Sequence, residues 1–166
     1  MDGILPGTYR IFNTLAGVRA PIGRWWLKSI AAGGRELLDA PLDIQQSVTD
    51  ATATLSDRAS EVTGLVADAQ GRPMPDPYVV VFSADRATWF TNSRRIAAVK
   101  PDRDGRFTIS NLPPGEYRAI AAFDLEQGEW FDPSLLESFL PSATSLTVRG
   151  TEKVVVNLIS SARLVF

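Results

Sequence analysis

The chain has 166 residues, a net charge of −2, and hydrophobic and charged fractions of 45% and 22%, which are ordinary values for a globular protein. It contains no histidine and no cysteine, which excludes Ser-His-Asp and Cys-His nucleophiles, Cys/His zinc sites and disulfides. The slight negative charge argues against nucleic-acid binding, and no apolar run approaches the ~20 residues of a membrane span. We therefore expect no cofactor, no nucleic-acid partner and no membrane insertion.

The first sixty residues repeat fragments of the C-terminal hundred. ILPGTYRI (4–11) is close to the end of DGRFTISNLPPGEYRAI (104–120), GRWW resembles GEWF, and TDATATL lies where EKVVVNL lies. The three matches have offsets of 108, 105 and 103 residues and occur in the same order. This pattern indicates an internal repeat of about 105 residues whose first copy lacks its front half. We expect residues 1–60 to be the C-terminal part of a preceding, truncated β-sandwich module.

The remaining residues, 61–166, carry strong strand signals and predict one complete domain. Period-two alternation and β-branched residues mark seven strands, at 61–68, 77–85, 94–102, 105–110, 115–124, 144–150 and 152–159. The near-continuous apolar run at 77–85 is typical of a strand buried on both faces or in a sandwich core. A short helix is predicted over 132–142, with Asp132 as N-cap and Pro133 at the first helical position. The expected fold class is an all-β sandwich of about seven strands with one short helix.

The sequence DRDG at residues 102–105 resembles the beginning of a calcium-binding loop. With Asp102 at position 1 and Asp104 at position 3, the twelfth position should be a bidentate glutamate, but it is Pro113. The alternative is a tight hairpin turn in which Gly105 supplies a positive φ. The sequence favours the turn, and the two aspartates are a weak metal candidate.

Aromatic pairs are the candidate ligand-binding residues. Exposed tryptophan faces could stack on sugar rings, which would make the protein a carbohydrate-binding module that recognises a polysaccharide. Adjacent residues of a strand point to opposite faces, so one ring of each pair is expected in the core. Packing within and between domains is the favoured role, and a ligand platform is the alternative. The candidates are Trp25, Trp26, Trp89 and Trp130.

Two further chemistries are disfavoured. Carboxylates gather in the loop before the helix, where a pair could in principle serve glycoside hydrolysis, but no enclosing pocket is evident. These carboxylates belong to Asp124, Glu126, Glu129 and Asp132. An intramolecular Lys–Asn isopeptide bond is also disfavoured, because Lys153 and Asn157 lie in one predicted strand, roughly 13 Å apart at ordinary strand rise. No catalytic residue is predicted.

The segments GLVADAQGRPMPDPYVVVF and DGRFTISNLPPGEYRAIA resemble the carboxypeptidase regulatory-like domain. The resemblance covers residues 61 to about 159 and implies a transthyretin-like (prealbumin-like) Greek-key β-sandwich. Trp89 and the segment GEWFDPSLLESFLP resemble versions of this module that large multidomain bacterial proteins carry in tandem. The residues that match the motif are Gly64, Asp68, Gly71, Asp104, Gly105, Phe107, Leu112, Pro114, Gly115 and Tyr117.

The resemblance implies a function without chemistry. In that family the domain accompanies a catalytic domain or a transporter, and the hydroxyisourate hydrolases that share the fold depend on histidine, which this chain lacks. We expect a non-catalytic structural or interaction module of a larger exported bacterial protein, at the cell surface, in the periplasm or secreted. The N-terminus shows no signal peptide, so we expect such a signal upstream of residue 1. The expected partners are neighbouring domains or a second chain.

Overall fold

A computed structural model of the chain describes residues 5–11, 25–45 and 50–159. The chain divides into two compact units, residues 1–58 and 59–166. Several stretches of the predicted first module, 1–4, 12–24 and 46–49, lie outside the described residues, as does the C-terminal segment 160–166.

The first unit contains two small antiparallel sheets. Its strands are β1 (Gly7–Tyr9), β2 (Trp26–Ala32), β3 (Arg35–Glu36), β4 (Leu42–Ile44) and β5 (Thr52–Ser56). β1 pairs with β4, and β2 pairs with both β3 and β5. Among the described residues of this unit, the buried hydrophobic side chains are Leu37 and Leu38. The hydrophobic core described for this unit is therefore small.

The second unit is a β-sandwich with one α-helix. Its elements are β6 (Glu61–Ala67), β7 (Tyr78–Ser83), β8 (Ile96–Val99), β9 (Arg106–Ser110), β10 (Gly115–Ala122), α1 (Pro133–Phe139), β11 (Thr144–Val148), β12 (Lys153–Val155) and β13 (Leu158–Ile159). One sheet has the order β11-β10-β7-β8 and is antiparallel. In the other sheet β6 pairs antiparallel with β9 and parallel with β12 and β13. The predicted all-β sandwich with one short helix is confirmed.

The last predicted strand is divided by a short interruption. β12 and β13 follow β6 in one continuous register, with Lys153 opposite Glu61 and Leu158 opposite Val66. Between them, the Asn157 side-chain Oδ1 accepts a hydrogen bond from the Leu65 backbone N–H at 3.0 Å. The seven predicted strands therefore correspond to eight observed segments.

Strand β7 is buried on both faces, which explains its continuous apolar sequence. Val79 and Val81 belong to the core between the two sheets, whereas Val80 and Phe82 belong to a second cluster with Leu136 of α1. All four β7 side chains are fully buried. The helix thus covers the outer face of the β11-β10-β7-β8 sheet and adds a third layer to the unit.

Helix α1 begins as predicted and ends earlier. The Asp132 carboxylate accepts a hydrogen bond from the Ser134 backbone N–H at 2.8 Å, and Pro133 occupies the first turn. Leu136 and Phe139 are buried against the sheet. The α-helix ends at Phe139, three residues before the end of the predicted helical segment 132–142.

Candidate functional site

The first three backbone carbonyls of the phrase LPPGEY accept hydrogen bonds from side chains of the same unit. The buried Tyr117 hydroxyl donates a hydrogen bond to the Pro113 carbonyl at 2.6 Å. The Arg95 guanidinium donates to the Pro114 carbonyl at 3.0 Å, and the Ser60 hydroxyl donates to the Leu112 carbonyl at 2.7 Å. These contacts fix the turn into β10, because each one satisfies a carbonyl that the turn removes from the sheet.

Two residues at this turn have a positive φ. Gly115 has a φ of 158°, and Asn111, immediately before the phrase LPPGEY, has a φ of 66°. Asparagine is one of the few residues that tolerate this left-handed conformation. Asn111 therefore takes the left-handed conformation at the start of this turn without being a glycine.

The same corner occurs at the start of the first unit. The Tyr9 hydroxyl donates a hydrogen bond to the carbonyl of Leu5, four residues earlier, at 2.7 Å. Tyr117 makes the equivalent bond to Pro113, also four residues earlier. In both corners the tyrosine ring lies beside the preceding glycine, Gly7 or Gly115.

The strand pairing beside the two corners is also equivalent. β1 pairs with β4, and β10 pairs with β11, in antiparallel ladders that oppose a glycine to a β-branched residue and the corner tyrosine to a leucine. The first ladder is Gly7↔Ile44, Thr8↔Asp43 and Tyr9↔Leu42, and the second is Gly115↔Val148, Glu116↔Thr147 and Tyr117↔Leu146. The correspondence extends to residues 42–44, which the sequence comparison had not matched to the C-terminal hundred.

In the second match, GRWW with GEWF, the described residues of the two segments have different conformations. Trp26 begins strand β2, and its indole Nε1 donates to the Arg58 carbonyl at 2.9 Å. Trp130 and Phe131 instead lie in a 3₁₀ turn, Glu129–Phe131, that leads into α1. Residues 23 and 24 of the match lie outside the described residues.

Two Asp-x-x-Gly turns have the same hydrogen-bond pattern. The Asp68 carboxylate accepts from the backbone N–H of Gln70 and Arg72, and the Asp102 carboxylate accepts from Asp104 and Arg106, all at 2.8–2.9 Å. The fourth residue of each turn is left-handed, with φ of 78° at Gly71 and 73° at Gly105. The aspartate that organises the hairpin is therefore Asp102 rather than Asp104.

A metal site at this hairpin gains no support from the geometry. The Asp102 carboxylate is engaged by backbone donors, and across the described ranges no three carboxylates come together in a metal-binding group. Asp102 and Asp104 are thus placed in a tight turn, the alternative that the sequence favoured.

Two glycines of the motif are required by close backbone approach. A Cβ at residue 64 would overlap the carbonyl oxygen of Val156, where the chain passes between β12 and β13. A Cβ at residue 105 would lie 2.5 Å from the Val66 carbonyl oxygen, in addition to its left-handed φ. Gly71 has the same φ with open space around it. The glycines of the motif therefore serve packing and turns.

The four candidate tryptophans lie in different surroundings. Trp89 is 7% exposed, packs edge-on against Phe82 with ring centroids 5.6 Å apart, and donates from Nε1 to the Ser83 carbonyl. Its burial leaves little ring face for a sugar. Trp130 is half-buried, and Trp26 is half-buried and hydrogen-bonded, whereas Trp25 is 48% exposed. Exposed indole surface is therefore greatest at Trp25, in the first unit.

An open cleft of about 360 Å³ lies at one end of the β11-β10-β7-β8 sheet. It forms where β7 begins, β8 ends and β10 ends, and it is lined by Asp76, Tyr78, Lys100, Phe123, Asp124 and Leu125. The Lys100 ammonium lies 4.9 Å from the centroid of the Tyr78 ring. Trp130 contacts the same ring, with centroids 5.2 Å apart and planes tilted by 46°. Residues distant in sequence thus build a mixed polar and aromatic cleft in the second unit.

Two carboxylates of the acidic loop accept local backbone hydrogen bonds. The Glu129 carboxylate accepts from the Glu126 backbone N–H at 2.9 Å, and the Asp132 carboxylate caps α1. Asp124 differs from them because it lines the cleft and has a left-handed φ of 56°. The hydrogen bonds that Glu129 and Asp132 accept from nearby backbone N–H groups give no support to a catalytic carboxylate pair.

The pKa shifts of Asp68, Arg86 and Glu137 arise in two ion pairs, Asp68–Arg72 and Arg86–Glu137. A hydrogen bond from the Arg72 backbone N–H lowers the pKa of Asp68, and the Arg72 guanidinium 2.7 Å away lowers it further. The hydrogen bond from Arg86 lowers the pKa of Glu137 and raises that of Arg86. Neither pair lines the cleft.

Comparison with known proteins gives a likeness of fold only. No protein-family model and no curated protein matches the chain. Among solved structures, the Bacillus anthracis TIE protein is 12% identical with a TM-score of 0.40, over 72% of this chain and 20% of that protein. A streptococcal ancillary pilin is 15% identical with a TM-score of 0.45, over 94% of this chain and 45% of the pilin. A 3-chlorocatechol 1,2-dioxygenase from Rhodococcus opacus 1CP is 18% identical with a TM-score of 0.32, over 40% and 39%.

These proteins differ in function as well as in size. This chain spans between 20% and 45% of their lengths, and they include both a pilin and an enzyme. At such identities and TM-scores the likeness assigns no activity to this chain.

Proposed function

We propose that this protein is a non-catalytic structural or interaction module of a larger exported bacterial protein. The observation that carries the proposal is the Tyr117 corner, in which the tyrosine hydroxyl and the Arg95 guanidinium are hydrogen-bonded to the carbonyls of the turn itself. Such contacts stabilise a domain and leave these groups no role in chemistry. We further propose that residues 61–166 are a complete carboxypeptidase regulatory-like domain.

Residues 1–60 belong, in this proposal, to the C-terminal part of a preceding sandwich module. The equivalent corners at Tyr9 and Tyr117 and the equivalent β1–β4 and β10–β11 ladders support this organisation. In the second unit β10 also pairs with β7 on its other edge, whereas β1 pairs, among the described residues, with β4 alone. Neighbouring domains of a parent protein, or a second chain, are the proposed partners of this module.

We propose the absence of catalysis because the buried polar side chains are hydrogen-bonded and the shifted pKa values lie outside the cleft. In the described part of the chain, every buried side-chain nitrogen and oxygen has a hydrogen-bond partner. The shifted pKa values belong to structural ion pairs outside the cleft. Active sites usually show the opposite, with perturbed groups gathered in a pocket.

The location outside the cytoplasm is proposed from the resemblance and from composition. A chain without cysteine needs no disulfide for stability and is compatible with the periplasm or the cell surface. None of the helices in the described ranges has the length and apolarity needed to span a bilayer.

Hydrolysis assays on the whole chain test the non-catalytic part of the proposal. We expect no turnover of generic ester or glycoside substrates above the buffer rate. Glu129→Gln removes one of the four negative charges of the acidic loop while keeping an oxygen that can accept from Glu126, and Glu61→Gln is the matched control on β6. Hydrolysis that is lost in Glu129→Gln and retained in Glu61→Gln would contradict the proposal.

Photo-cross-linking in the producing bacterium tests the interaction role. A cross-linking residue at position 55, where Leu55 is 46% exposed, should give adducts with another part of the parent polypeptide or with one defined protein. The control position is Arg103, which is exposed in a polar turn. No adduct at position 55, or equal adducts at both positions, would count against a specific interface.

A further inference from the structure

The cleft at the end of the β11-β10-β7-β8 sheet is lined by two negatively charged side chains and one positively charged side chain. Asp76 and Asp124 supply carboxylates, which accept hydrogen bonds, and Lys100 supplies an ammonium, which donates them. All three side chains belong to exposed residues, and they come from the loop before β7, the end of β8 and the end of β10. A ligand in the cleft would therefore meet donors and acceptors together.

The remaining lining is apolar and aromatic. Tyr78, Phe123 and Leu125 are half-buried and leave part of each side chain facing the cleft. Tyr78 is held in place by Trp130 on one side and by Lys100 over its ring. Ligand pockets in general have this composition, an apolar and aromatic wall with a few convergent polar groups, and volumes of about 300–1,000 Å³.

The charges of the cleft select among ligand classes. An anion would be attracted to Lys100 and repelled by two carboxylates, and a cation would be attracted to the carboxylates and repelled by Lys100. A neutral ligand with several hydroxyl groups avoids both conflicts, because each hydroxyl can donate to a carboxylate and accept from the ammonium. Its C–H faces would contact Phe123 and Leu125.

We propose that this cleft is a binding site for a neutral carbohydrate, of which it accommodates one sugar ring. The site is different from the tryptophan platforms expected from the sequence. Trp130 acts in it as a positioning residue that supports Tyr78, and Trp89 takes no part because it is buried. The inference goes beyond the structural role proposed above, and either can hold without the other.

A polysaccharide array with the whole chain tests the inference. The probes are neutral glucan, mannan and galactan, together with anionic alginate and cationic chitosan. We expect saturable binding to at least one neutral polysaccharide, with a change in tryptophan fluorescence that is lost in Trp130→Phe. Binding should weaken by about tenfold or more in Asp76→Asn and in Lys100→Gln, because each removes a charged hydrogen-bonding group. Lys153→Gln, an exposed lysine on β12, should bind like the parent chain.

Four results would overturn the inference. They are no saturable binding to any neutral probe, preferred binding to alginate, preferred binding to chitosan, and binding that is unchanged in Asp76→Asn and Lys100→Gln. Because Asp76 and Lys100 are exposed, unchanged melting temperatures should accompany the losses of binding in Asp76→Asn and Lys100→Gln. None of these results bears on hydrolysis or on cross-linking at residue 55, so the proposed structural role is tested separately.

Discussion

The corners at Tyr9 and Tyr117 have the same hydrogen bond and the same ladder, yet they differ in burial. Tyr117 is fully buried, whereas Tyr9 is 36% exposed. The difference has a structural cause, because β10 lies between β7 and β11, while β1 pairs, within the described residues, with β4 alone. A short sequence phrase thus specifies the local geometry of a corner, and the surrounding sheet decides how much stability the corner contributes.

The largest expected difference between the corners is in side-chain removal. Tyr117→Ala removes a fully buried aromatic ring and should lower the free energy of unfolding of the second unit by about 3–5 kcal/mol. Tyr9→Ala should cost less than about 1 kcal/mol, since its ring already contacts solvent. Urea unfolding followed by circular dichroism measures both. Equal losses would contradict the comparison.

A second contrast uses the two Asp-x-x-Gly turns, which also share local geometry and differ in surroundings. Gly71→Ala introduces only the left-handed strain of a side chain, about 1–2 kcal/mol. Gly105→Ala should cost more than about 2 kcal/mol, because the added Cβ also meets the Val66 carbonyl. Thermal unfolding of the two variants gives the order. A smaller loss for Gly105→Ala would show that the turn relaxes around the added carbon.

Removing only the hydroxyl isolates the hydrogen bond of each corner. Tyr117→Phe leaves the buried Pro113 carbonyl without that donor and should cost about 1–2 kcal/mol. In Tyr9→Phe water can replace the donor at the exposed Leu5, so we expect less than about 0.5 kcal/mol. The same urea experiment detects the difference, and a cost at Tyr9 matching that at Tyr117 would refute the role assigned to burial.

The smallest expected effect is the pH dependence of the Asp68 turn. The pKa of Asp68 is lowered in the folded chain, chiefly by the hydrogen bond from the Arg72 backbone, so the carboxylate stabilises the fold above its ordinary value of 3.8. That contribution should be lost as the pH falls from about 3.8 through the lowered pKa. Comparing stability at pH 6 and pH 2.5 in the parent chain and in Asp68→Asn isolates it. A parent chain that loses no more stability than Asp68→Asn would contradict the assignment.

Most of the sandwich could be predicted from the sequence because its signals are local. Alternation, β-branched residues and one continuous apolar run marked the strands of the second unit, and Asp132 with Pro133 marked the start of α1. The run at 77–85 suggested burial on both faces, which the helix over one face explains. The organising residue of the hairpin was harder to identify, because Asp102 and Asp104 both precede Gly105 and only the hydrogen bonds distinguish them.

The cleft could not be predicted because nothing local marks it. Tyr78 belongs to a buried strand, and Lys100 and Phe123 are ordinary strand-end residues until the register brings them together. Conversely, the sequence match of Trp26 with Phe131 does not correspond to a shared conformation, since Trp26 begins strand β2 and Phe131 lies in the turn before α1. The pairing of strands that are distant in sequence determines both the lining of the cleft and the conformations of Trp26 and Phe131. Local sequence patterns do not reveal that pairing.

Native-state hydrogen exchange of the whole chain compares the stability of the two ladders. We expect amides of β10 and β11 to exchange only through global unfolding of their unit, and amides of β1 and β4 to exchange at least about a hundredfold faster. Such a result would show that the same corner geometry contributes much stability where it is buried and little where it is exposed. Equal protection of the two ladders would contradict the claim that the surrounding sheet, rather than the corner, provides the stability.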